Sequence, residues 1–293
     1  MGEGSIVTSR SPATAPLSCG AVLAWKIAAA EARRTGSGMI EAPHLLIGLC
    51  SLEKALLTGD CSSNSPVTFC IISEKESLEV PLAAAGLDPA VLRRSARAAL
   101  TRDTAPAGGR IIHRSLACKA VFDRAGQGTR GSEVTVIHLL AALVDDPDPA
   151  VRAAIDAAGG GAGSAPAASV RLREEVRASI RVQEEQVRLK EEVEISRATL
   201  RTVPRGSDAY ERLRGELAAK NAQLARLCIR ARDAAGLIPL LQEMAGEAPR
   251  GDIAGIIRQL EYMRDHDIAI SDRSAALLQG MVQELAGPPG RQE

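Results

Sequence analysis

An all-α fold is what this sequence predicts, and three observations predict it. Aromatic residues make up only 2% of the 293-residue chain, while alanine is abundant. Small side chains suit close helix packing, whereas β cores draw on aromatic and β-branched residues. Leucines recur at helical i, i+1, i+4 spacing, at Leu45, Leu46 and Leu49 and again at Leu139, Leu140 and Leu143. Two Asp-Pro steps, Asp88-Pro89 and Asp148-Pro149, combine a good N-cap with a proline suited to the first helical position.

Residues 1–18 are rich in Ser, Thr, Pro and Gly and read as a loose tail. Residues 19–158 read as one domain built from an internal repeat. A helical segment over residues 21–34 runs into Gly36-Ser37-Gly38, then Met39-Ile40 and His44-Leu45-Leu46. A second, over residues 115–125, runs into residues 126–131, then Val134 and His138-Leu139-Leu140. The blocks align without a gap from Ile27/Val121 to His44/His138. Each half is too small to bury its apolar stripe alone, so the two are expected to share a core.

The first half carries an insertion, 58–80, that the second lacks. Its Val67–Ile72 segment has β propensity and is expected as a short strand or an apolar loop. Residues 159–169 form a Gly/Ala/Ser/Pro linker. Residues 170–234 then change to a charged texture with alternating 3 and 4 spacing of apolar positions. The clearest seam is Tyr210, Leu213, Leu217, Lys220, Leu224 and Leu227. With a break at Pro204-Arg205-Gly206, this predicts an antiparallel coiled-coil hairpin, with helices that dimerise in trans as the alternative. Residues 235–293 are expected as short amphipathic helices, with Asp252 and Ser271 as N-caps, and a tail.

Composition excludes several classes. The 36 basic residues equal the 36 acidic ones, and stacking aromatics are scarce, so no nucleic-acid partner is expected. No apolar run is long enough to span a bilayer, so no membrane partner is expected either. The six cysteines form no CxxC pair, which suits a reducing, cytoplasmic setting.

The repeat resembles the N-terminal domain of Clp unfoldases. The carrying residues are Ala28–Arg34, Ile40 and His44-Leu45-Leu46-Ile47-Gly48-Leu49 in the first half, and His138-Leu139-Leu140-Ala141-Ala142-Leu143 in the second. Ala84–Leu92 and Asp148–Val151 are similar to the ends of the family's repeats. The likeness covers about half of the sequence. It implies two pseudo-symmetric four-helix repeats and recognition of proteins or peptides. None of the six lysines follows a glycine, so the Walker phosphate loop of the family's ATPase modules is absent from the sequence. The resemblance is therefore to stand-alone members that act as accessory factors, adaptors or decoys. In some members a Glu precedes each repeat histidine and helps to hold phosphorylated arginine. Here Pro43 and Ile137 stand there, and neither can bond a guanidinium group.

The expectation is a non-catalytic protein with no catalytic residues, no cofactor and no resident metal. Its expected partner is a protein: a Clp ATPase ring, an adaptor, or an unfolded or peptide client. A homodimer through the coiled coil is the further possibility. If the family's fold holds, a protein-binding groove lies between the repeats at Ile40, Glu41, Pro43, His44, Glu133, Val134, Ile137 and His138.

Overall fold

Asp88 and Asp148 both cap helices: the Asp88 carboxylate accepts from Val91 N–H and the Asp148 carboxylate from Ala150 N–H, each followed by its proline. A computed structural model describes residues 15–57, 66–100, 113–129, 133–160, 167–231, 233–246, 251–266 and 270–286. Among the described residues the protein is helical almost throughout, with one two-stranded pairing of two residues each. No described helix is long and apolar enough to cross a membrane. Two compact units are formed, one reaching Arg173 and the other built mainly from Glu174 onward.

The first unit opens with α1 (Cys19–Arg34), β1 (Met39–Ile40) and α2 (Ala42–Leu49). The short α3 (Leu52–Leu57), α4 (Pro66–Ala84) and α5 (Pro89–Ala99) follow. The second half brings β2 (His113–Arg114), α6 (Leu116–Gly128), α7 (Val136–Asp145) and α8 (Pro149–Ala158). Helix α2 packs on α1, α5 and α7. The core is the apolar face of α2 and α7, with Leu45, Leu46, Leu49, Ile137, Leu139, Leu140 and Leu143 buried. Helix α1 faces it with Ala21, Ala24, Ala28 and Ala32, all fully buried. Gly48 lies against that alanine face; a Cβ there would stand 2.2 Å from Ala24 O.

Two features of this unit depart from the sequence reading. Val67–Ile72, expected as a strand or loop, lies in helix α4. Its buried positions, Thr68, Ile71, Glu74, Leu78 and Leu82, follow helical spacing, so packing overrides β propensity. Residues 15–18, expected as the end of a loose tail, are bound: Leu17 bridges Val134 in parallel. Residues 1–14 and 58–65 of the expected tail and insertion lie outside the described residues.

The pairings cross between halves. Val134 N–H donates to Pro16 O and Ser18 N–H donates to Val134 O, so the entry to α1 lies beside the entry to α7. Reciprocally, β1 pairs with β2 in parallel, Met39 with His113 and Ile40 with Arg114, so the entry to α6 lies beside the entry to α2. Ser115 N–H donates to Ile40 O as Ser18 N–H does to Val134 O. The two halves are thus related by an approximate two-fold operation. Helices α1 and α6 start at serine N-caps and end at Thr35 and Thr129, with 16 and 13 residues.

Helix α9 (Ala168–Thr202) begins within the first unit. Ser169 N–H donates to Asp156, and Arg173 donates to Val144 O at 2.8 Å. These anchors tie the start of α9 to the first unit, which reaches Arg173; residues 168–169 of the expected linker are helical, and 161–166 lie outside the described residues.

The second unit comprises the rest of α9, then α10 (Asp208–Arg230), α11 (Ala234–Ala245), α12 (Gly251–Asp265) and α13 (Asp272–Leu285). Helices α9 and α10 lie antiparallel: Lys220 Nζ donates to Ser196, while Gln186 lies 3.6 Å from Cys228 further along. They are unequal, 35 and 23 residues, because α9 serves both units. Leu189, Val193, Leu217, Leu224, Leu237, Leu241 and Val282 share one core. Ser271 caps α13, but Asp252, expected as a cap, is the second residue of α12.

Candidate functional site

The entries to α1 and α7 meet a buried carboxylate. Glu74, from α4, is 8% exposed. Its Oε2 accepts the Ser18 hydroxyl at 2.6 Å and Val136 N–H at 3.0 Å. Its Oε1 accepts Gly20 N–H at 3.0 Å and lies 3.4 Å from the Cys70 thiol. Gly20 and Val136 stand in the first turns of their helices, where N–H groups have no intrahelical acceptor. Two helix N-termini thus converge on one carboxylate, whose negative charge both helix dipoles favour. A Cβ on Gly20 would stand 2.9 Å from the carboxyl carbon, so glycine permits the approach.

Among the described residues, the two-fold counterpart of this junction borders a cavity. Ala42 and Ala117 correspond to Val136 and Gly20, and both line a cavity of about 250 Å³. Arg124, Asp146 and Asp148 also border it. Arg124 pairs with Asp146 at 3.3 Å and donates to Ala142 O at 3.0 Å.

The repeat histidines hold the turns that lead into α2 and α7. Glu41 N–H donates to His44 Nδ1 at 3.1 Å, and Thr135 N–H to His138 Nδ1 at 3.2 Å. Each histidine stands where a capping box usually places Glu or Gln. His44 is 1% exposed, and burial pushes its pKa down to about 4 against a small opposing pull from Glu31. Glu31 bonds Arg34 on its own helix and Arg97 on α5, at 2.5 and 2.8 Å. Burial alone would raise its carboxyl pKa; hydrogen bonds and charge from both arginines more than reverse this, to about 2.

Of the eight residues selected from sequence, Ile40, Pro43, His44, Val134 and Ile137 are buried and His138 is half-buried. Glu41 and Glu133 are exposed. The crosswise ladder brings Ile40 beside Arg114 and Val134 beside Leu17. Glu74, Ser18 and Gly20 are missing from that set, because the sequence offers no reason to bring a carboxylate of the insertion to the α1 entry. No cluster of three or more metal-ligating side chains occurs among the described residues. In the second unit, a cavity of about 490 Å³ is lined by Gln223, Arg226, Arg230, Gln279 and Gln283 with Glu185. Comparison with protein-family models, curated proteins and solved structures finds no match for this sequence.

Proposed function

We propose that the first unit is a protein- or peptide-binding module of the Clp N-terminal type. The protein would then serve as an accessory factor, adaptor or decoy of a Clp chaperone–protease system. The observation that carries this reading is the reciprocal pairing of two like halves, with His44 and His138 at matching helix starts. Such a module needs no chemistry, since apolar anchors and a few hydrogen bonds suffice for recognition. The antiparallel α9–α10 pair is read as a coiled-coil hairpin that spaces the module. The test presents the immobilised full-length protein, without nucleotide, to a purified Clp ATPase ring and to a permanently unfolded protein. Saturable binding of either supports the reading, and binding of neither overturns it.

A second reading is structural: a coiled-coil protein whose first unit no longer binds clients. Val187 and Ile195, 59% and 66% exposed and two turns apart on α9, favour it as a face for a second copy. A monomer by light scattering at micromolar concentration would overturn this alternative.

A further inference from the structure

Two of the described cysteines differ from the rest. Cys50, Cys118 and Cys228 are buried, whereas Cys19 and Cys70 are both partly exposed, and all five are free thiols. Cys19 opens α1, and Cys70 lies on α4 one turn before Glu74. The Glu74 carboxylate accepts the Ser18 hydroxyl and Gly20 N–H, from either side of Cys19, and the Cys70 thiol donates to the same carboxylate at 3.4 Å. One carboxylate therefore gathers both cysteines where α1 meets α4, and their sulfurs stand within hydrogen-bonding reach of each other. A cysteine that only fills a core is buried and inert; two thiols in contact and open to solvent can react with an oxidant and then with each other.

We infer that Cys19 and Cys70 form a redox site, which closes to a disulfide when a peroxide oxidises the protein. Burial, and then the Glu74 carboxylate, push the Cys70 thiol up to about 12, so Cys70 keeps its proton and Cys19 meets the oxidant first. The Cys19 sulfur attacks the O–O bond, becomes a sulfenic acid, and releases water or an alcohol. The Cys70 sulfur then attacks the Cys19 sulfur. The S–O bond breaks, and the departing hydroxide leaves as water with the Cys70 proton, handed on along its hydrogen bond to Glu74. Two thiols lose two electrons in all, and the peroxide gains them. The new bond closes a segment that carries α1, β1, α2 and α3, and fixes both of its ends at one place. Helix α4 stays packed through Ile71, Leu78 and Leu82. Oxidation thus stiffens the first half, and a dithiol reductant restores it.

The test treats the native full-length protein with a small excess of hydrogen peroxide and blocks the remaining thiols in denaturant. Peptides are then mapped after trypsin and chymotrypsin, since cleavage after Phe69 separates Cys70 from Cys61. The expected product is a Cys19–Cys70 linked peptide, two hydrogens lighter than its reduced parts, with Cys50, Cys118 and Cys228 still thiols. The oxidised protein should unfold about 5–15 °C above the reduced one, a difference that dithiothreitol removes. Cys70→Ser should form no link and should hold a sulfenic acid at Cys19 that a 1,3-dione traps, while Cys70 stays a thiol in Cys19→Ser. Cys19 and Cys70 still free after peroxide overturn the inference, as does Cys19 linked to Cys61 or to a second chain. A link without a rise in unfolding temperature overturns the stiffening, and trapping at Cys70 in Cys19→Ser overturns the order of attack. Because the wild-type map needs no substitution, a variant that fails to fold leaves the decisive measurement intact.

Discussion

His44 Nε2 lies 3.2 Å from the Thr35 hydroxyl, which itself donates to the carbonyls of Glu31 and Ala32. Thr35 thus has only a lone pair to offer the ring, so Nε2 carries the proton and Nδ1 accepts Glu41 N–H. A second proton on the ring would face that N–H.

The neutral ring makes stability pH-dependent. The folded pKa of about 4 lies below the ordinary 6.5, so the unfolded state binds more protons between these values. The contribution is complete above about pH 6.5 and is lost as pH falls through about 4, with a total on the order of 3 kcal/mol. Urea unfolding at pH 7.5 and pH 5 reads about 2 kcal/mol of it, the part lost by pH 5. His44→Gln should flatten the difference; an unchanged difference would assign the slope elsewhere.

Glu31 and Arg97 tie α1 to α5. Arg97→Ala removes one of the two cations that hold a carboxylate with a 7% exposed side chain. The expected cost is about 1–3 kcal/mol, since a buried charge loses a hydrogen-bonded partner. Denaturant titration at pH 7 measures it. Between about pH 4.5 and 2, where Glu31 protonates in the unfolded state before the folded one, the variant should lose less stability than the wild type.

Gly48→Ala tests the contact between α1 and α2. The new methyl would collide with the Ala24 backbone carbonyl, which has no freedom to swing aside. Overpacking costs typically about 1–3 kcal/mol, and a backbone clash should reach the upper end or prevent folding. Gly38→Ala, with open space around its Cβ, is the control and should unfold within a degree or two of the wild type. Thermal unfolding of both compares them.

Cys50, Cys118 and Cys228 should resist a thiol reagent at pH 8. Burial pushes their pKa values to about 12, 11 and 12, and the thiolate is the reacting species. Peptide mapping after brief alkylation should find these three unmodified in native protein and modified in denaturant. Rapid native labelling of any of them would contradict the packing described here.

What is legible in the sequence follows from local chemistry. The leucine spacing of α2 and α7, and the aspartate–proline starts of α5 and α8, are written in contiguous residues. Helix α4 is hidden because its buried stripe is interrupted by Thr68 and Glu74, while its N-terminal end is rich in β formers. Two-residue strands carry no periodicity, so the pairing of Met39-Ile40 with His113-Arg114 leaves no trace in either segment. Glu74 is hidden for a related reason. Its partners Ser18, Gly20 and Val136 come from both halves, and only the crosswise arrangement brings them to one carboxylate.

That arrangement also fixes an order of events during synthesis. The amides and carbonyls of Met39-Ile40 wait for a partner made far later, and Leu17 waits longer still, until Val134 has left the ribosome. The nascent first half therefore travels through translation with open edges, which attract other polypeptides. Closing such distant pairs is entropically slow, so the first unit should lock only near the end of its own synthesis, and then in one step.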